Sequence, residues 1–176
     1  MPPIYRSKPL LLCAAIAFIA LSAIGFLPLF GGLGYEYALV TGLLLPSLAA
    51  VAAAFASNVS TTTPIHAFQR AIAGAIVLSA IAFAIGMVHG LRAGVCDVLS
   101  GTVIFALGPA IGSVVGACWG FTVAHAVPLS ISKRVRPKIL MGGAVLGPII
   151  TIVISLIRFY TSPMVFAYDP FFGFFS

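Results

Sequence analysis

Residues 98–127 read VLSGTVIFALGPAIGSVVGACWGFTVAHAV, thirty residues without a charged side chain. A helix needs roughly 20 apolar residues to cross the hydrocarbon core of a bilayer, so this stretch is long enough to span it. It shows no apolar/polar alternation of the kind that marks a strand. Backbone groups in lipid must also be paired internally, which favours a helix. Within the stretch Gly108, Gly112, Gly116 and Gly120 recur every four residues, and Ala124 continues the row. On a helix these positions share one face and form a smooth groove about 18 Å long, where a second backbone can approach closely. Glycine costs helix propensity, so four in register point to tight packing, either inside the chain or between copies of it.

The same reading extends outward on both sides. Five apolar runs predict membrane helices over residues 9–30, 37–57, 71–88, 99–126 and 139–158. Of the 176 residues, 61% are apolar and 7% charged, against about 45–50% and about 25% in a soluble domain. That balance excludes a soluble globular domain, a disordered tail and a disulfide-rich secreted scaffold. The three cysteines, Cys13, Cys96 and Cys118, form no CxxC pair, so neither a disulfide framework nor a zinc ribbon is expected. The first run is longer than the ~7–15-residue apolar core of a cleaved signal peptide, and it is read as a retained helix.

The connections carry the remaining polarity. Gly31, Gly32 and Gly34 predict a tight turn that makes a hairpin of the first two helices. Asn58 to Gln69 reads as a polar linker, His89 to Asp97 as a short turn, and Pro128 to Lys138 as the most polar segment. Pro46, Pro109 and Pro148 fall within or near spans and predict kinks. When the loops are alternated across five spans, one side receives Arg6, Lys8, Arg70, Lys133, Arg134, Arg136 and Lys138. The other receives Arg92 and Arg158 with all three acids, Glu36, Asp97 and Asp169. Basic residues near helix ends mark the cytoplasmic face, so the N-terminus is predicted inside and the C-terminus outside. Asn58-Val59-Ser60 matches a glycosylation sequon, but this topology places it in the cytoplasm. The basic cluster Lys133, Arg134, Arg136 and Lys138 reads as a topology determinant that also attracts anionic head groups. The net charge of +6 is assigned to this asymmetry, and nucleic acid is not expected as a partner.

Ionisable residues in a membrane domain are the first places to look for chemistry. Glu36, His89, Arg92, Cys96, Asp97 and Arg158 all map to the outer end. Glu36, His89 and Asp97 are the candidate catalytic residues, but they come from separate loops without metal-ligand spacing, and no metal or cofactor is expected. An ion-pair belt joining Glu36 or Asp97 to Arg92 or Arg158 is expected instead. His66 and His125 read as capping or snorkelling residues near the inner face. The chain has no G-x-S-x-G, Walker A or dinucleotide fingerprint, and no span carries the midmembrane charge of a proton relay.

After Arg158 the chain becomes aromatic, with Phe166, Tyr168, Phe171, Phe172, Phe174 and Phe175. Such rings favour the head-group level, so an interfacial segment is predicted rather than a sixth span. The tail Ala167-Tyr168-Asp169-Pro170-Phe171-Phe172-Gly173-Phe174-Phe175-Ser176 resembles the segment after the last membrane helix of large uncharacterised bacterial membrane proteins. Some of these resemble metallopeptidases in their outer part. The Cys96-Asp97 turn and the Gly108-Pro109 step are similar too. The resemblance implies an N-terminal membrane module. It implies no enzymatic activity for this chain, which lacks a zinc-binding motif.

The expected fold is therefore an all-α membrane protein: a bundle of about five transmembrane helices over residues 1–158, with the interfacial aromatic tail over 159–176. The fourth helix is expected to be the packing core. The expected role is that of a non-catalytic anchor or scaffold in the inner (plasma) membrane, in contact with the bilayer and with itself or another membrane protein. A small oligomeric channel or transporter subunit is the alternative. A membrane enzyme using Glu36, His89 and Asp97 is a second.

Overall fold

The structure is a computed structural model that describes residues 8–57, 63–94, 97–128, 130–161, 167–169 and 173–175. Arg6, the sequon Asn58-Val59-Ser60, Cys96, Pro170, Phe166, Phe171 and Phe172 lie outside the described residues. Helix α1 runs Lys8–Ile24, α2 Tyr35–Ser57 and α3 Pro64–Ala93. Helix α4 runs Val98–Ala126 and α5 Arg136–Thr161. Two three-residue strands, Ala167–Asp169 and Gly173–Phe175, pair antiparallel after α5. Helices α2 to α5 are each long and apolar enough to cross a membrane, and α1 is a shorter apolar helix of 17 residues.

The helix ends differ from the hydropathy boundaries for local reasons. The first apolar run continues to Phe30, but α1 stops at Ile24 and gives way to a 3-10 turn at Pro28–Phe30. Proline disfavours a helical residue before it, and Leu27 is extended at φ −72° and ψ 140°. Helix α3 is longer than residues 71–88 at both ends. It starts with Pro64 in the first turn, where a missing amide hydrogen costs nothing. His66 and Gln69, expected in a linker, are helical and lie 3.1 Å apart from Nδ1 to Oε1. Their polarity marks the edge of the apolar zone rather than the end of the helix. At the other end His89 to Ala93 is helical, and the chain turns only at Gly94, whose φ of 74° suits glycine. Helix α5 likewise extends from 139–158 to Arg136–Thr161.

The helix at the centre of the bundle is α2, not α4. It packs against each of the other four helices. Of its most apolar window 56% is buried, against 28% for α4. The cause is the run Leu48-Ala49-Ala50-Val51-Ala52-Ala53-Ala54, which offers small side chains on every face. Helices can then close in from several sides at once. Ala49, Ala50, Ala52, Ala53 and Ala54 are all buried, as are Ala75 and Ala82 of α3, Ala117 of α4 and Ala144 of α5.

Several hydroxyl groups inside the bundle are paired. The Tyr37 hydroxyl donates to the Ala82 carbonyl at 2.7 Å, and Thr41 donates back to the Tyr37 carbonyl at 2.7 Å. Ser79 and Ser113 join α3 to α4 at 2.6 Å. Pro109 is accommodated by a π turn over Ala106–Ala110 within α4. The wider turn absorbs the missing amide donor without ending the helix.

Candidate functional site

The three candidate catalytic side chains sit on three elements and in three different settings. Glu36 is exposed in the first turn of α2, where a carboxylate complements the helix dipole. Asp97 is exposed and caps α4, accepting the Ser100 amide at 3.0 Å. His89 is buried in the last turns of α3. Among the described residues no group of three His, Cys, Asp or Glu side chains gathers in one place.

The expected ion-pair belt is not formed among the described residues: no ion pair joins Glu36 or Asp97 to Arg92 or Arg158. Arg92 is turned to a different use. Its guanidinium donates to the Gly25 carbonyl at 2.8 Å and lies over the Phe26 ring, 4.5 Å from the centroid. The Gly25 carbonyl has lost its helical partner, because α1 ends there. A cation near the C-terminal end of a helix is also favoured by the dipole. Phe26 meets the His89 ring edge-on, with centroids 5.1 Å apart. A Cβ on Gly25 would collide with the His89 imidazole. Gly25, Phe26, His89 and Arg92 thus form one cluster where α1 meets α3. His89 is 7% exposed, and its Nδ1 is buried without a hydrogen-bond partner among the described residues.

Hydrogen bonding by the Ser100 side chain, and next by its amide, holds the Asp97 carboxyl below the usual carboxylate range. A group whose pKa is depressed by folding stabilises the fold above its unfolded value, about 3.9 for Asp. That contribution is lost as the pH falls through the lower folded value. The start of α4 is therefore expected to loosen only under strongly acid conditions, seen as faster amide exchange at Ser100. Asp97→Asn keeps an N-cap and should remove this acid dependence. An unchanged pH profile in that variant would contradict the assignment.

Of the glycine row, Gly112, Gly116 and Gly120 are buried with Ala124, while Gly108 is half-buried within the π turn. A Cβ on Gly116 would collide with the carbonyl of Pro46, and one on Gly120 with the carbonyl of Ala50. Both neighbours belong to α2. Gly101, which stands outside the four-residue repeat, meets the Leu33 carbonyl in the same way. On α5, Gly147 lies against the Trp119 indole, whose Nε1 donates to the Gly143 carbonyl at 2.9 Å.

At the other end of the bundle Lys133, Arg134 and Lys138 are exposed around the start of α5. Arg136 is half-buried, and its Nε has no partner among the described residues. His125 is exposed in the last turn of α4, with Nδ1 2.9 Å from the Phe121 carbonyl. Sequence reasoning singled out His89 and Arg92 but missed Gly25 and Phe26, which lie in a different apolar run and carry no motif of their own. In comparisons with known proteins, the chain matches no family model, no curated protein and no solved structure.

Proposed function

We propose that the chain is a five-span anchor or scaffold of the inner (plasma) membrane, catalysing no reaction itself. It holds an extracytoplasmic partner or domain at the end of the bundle that carries Glu36, Arg92 and Asp97. The observation that carries this reading is the direct contact of α4 glycines with backbone at three levels, Gly101 on Leu33, Gly116 on Pro46 and Gly120 on Ala50. Helices this close leave no space for a conduit between them, and the contact is bonded along its length by dispersion. A rigid body of this kind suits positioning. Charge supports the orientation, with seven basic residues assigned to the cytoplasmic side and every acid to the other. The resemblance of residues 167–176 to the segment that ends a membrane module points the same way.

Alkaline phosphatase is active only outside the cytoplasm, so fusions to it test the presentation of the outer end. A fusion after Thr161 is expected to be active and a fusion at Ser132 inactive, and the reverse result would sink the orientation. Vesicles containing the purified chain are expected to leak small solutes no faster than empty vesicles. Flux that changes in Gly116→Ala would replace the scaffold reading with that of a channel.

A further inference from the structure

Between α1 and α3 runs a groove of about 440 Å³, a volume within the range of small-ligand sites. Phe18 and Ser22 of α1 form one wall, and Ile81, Ile85, Val88 and His89 of α3 the other. Ile81, Ile85 and Val88 follow one another at four and three residues and so share a face. The next position on that stripe is Arg92. The groove is apolar along its length and ends at the His89 imidazole, with Arg92 one turn further along α3.

Neither polar group is fully used by the protein. The His89 ring atoms nearest Gly25 are Cδ2, Nε2 and Cγ, which leaves Nδ1 on the edge away from Gly25. That nitrogen is buried and unpartnered among the described residues. Arg92 donates to the Gly25 carbonyl, yet a guanidinium carries five N–H donors. No carboxylate among the described residues pairs with it. Phosphate oxygens are matched to such a fork by charge and by geometry.

We infer that this groove holds an acyl chain of an anionic phospholipid, with the phosphate of its head group bound by Arg92 and the His89 ring closing the apolar channel beneath it. The walls are apolar and Phe18 and Val88 are exposed on the outside of the bundle, so the occupant comes from the bilayer and not from a soluble anion. The inference rests on α1 and α3 lying in the membrane and is independent of the scaffold role.

The test is native mass spectrometry of the full chain, released from micelles holding equal amounts of phosphatidylglycerol and phosphatidylcholine with matched chains. The wild type is expected to retain the anionic lipid about fivefold over the zwitterionic one, the effect of one basic residue near a membrane surface. Arg92→Gln should bring that ratio close to one, whereas Lys133→Gln, at the far end of the bundle, should leave it unchanged. Ala84→Phe fills the groove from its α3 wall without touching either polar group, and should reduce retention of both lipids. Equal retention by the wild type overturns the inference. So does a preference that survives Arg92→Gln, or retention that survives Ala84→Phe. Should Arg92→Gln fail to fold, the Ala84→Phe result decides alone.

Discussion

Gly120→Leu and Gly116→Leu are each expected to destabilise the bundle by about 3 kcal/mol or more, the upper part of the range for overpacking a filled interior. The expected cost is high because the obstacle is backbone. At Gly116 even a Cβ would strike the Pro46 carbonyl, and at Gly120 the Ala50 carbonyl. A flexible side chain could turn aside, but a carbonyl within α2 moves only if the helix moves. Both neighbours lie on the central helix, so a shift there disturbs its packing with α1, α3 and α5 together. The effect separates cleanly from helix propensity. Glycine costs about 0.8–1 kcal/mol relative to alanine inside a helix, so Gly→Ala should stabilise wherever there is room. At Gly142 on α5 an added Cβ would meet nothing within 4 Å, and Gly142→Ala is expected to be neutral or stabilising. Gly116→Ala and Gly120→Ala are expected to have the opposite sign. Reversible unfolding in mixed micelles of increasing sodium dodecyl sulfate fraction measures all of them. Equal behaviour of Gly116→Ala and Gly142→Ala would show that α2 and α4 do not meet backbone to backbone.

The features legible in the sequence are those that the bilayer imposes residue by residue. Long uncharged runs such as 98–127 are recognisable because lipid tolerates few alternatives, and helices over all five runs are found. The glycine repeat announced a close contact because glycine has few other reasons to recur inside a helix. Its partner was not legible. Pro46 and Ala50 lie in an alanine-rich helix whose faces look alike, so nothing in the pattern says which face meets α4 or that α2 is central. Gly101 shows the same limit: its close neighbour is the Leu33 carbonyl, a backbone atom that leaves no mark in the sequence. Helix ends were obscured for another reason. The hydropathy boundary near residue 71 reports where water begins, whereas α3 continues through Arg70 to Pro64 because those residues are compatible with a helix. The α1–α3 cluster was half visible. His89 and Arg92 stood out by charge, but the expected carboxylate partners lost to a carbonyl released by the end of α1 and to the face of Phe26. That competition depends on where α1 stops, and Pro28 rather than hydropathy decides it.

Tyr37→Ala is expected to cost about 3–5 kcal/mol, the usual range for removing a buried aromatic side chain. Tyr37 is 1% exposed, and its ring fills the space left open by Gly86 of α3, whose absent Cβ would fall 2.8 Å from the ring Cε1. Leu33 reaches the same glycine from the turn before α2. The residue therefore fastens α2 to α3. Two contributions act there, and Tyr37→Phe separates them. The phenylalanine keeps the ring against Gly86 and removes only the hydrogen bond to the Ala82 carbonyl. Such bonds between membrane helices average about 0.6 kcal/mol and reach about 1.7, because the alternative state in lipid also finds partners. The loss in Tyr37→Phe should stay within that range and well below that of Tyr37→Ala. The same detergent titration reads both variants. If Tyr37→Phe cost as much as Tyr37→Ala, the hydroxyl and not the ring would hold α2 to α3. A small loss in both would mean that α2 and α3 close over the vacated space, as alanine-rich surfaces are able to do where no backbone contact holds them apart.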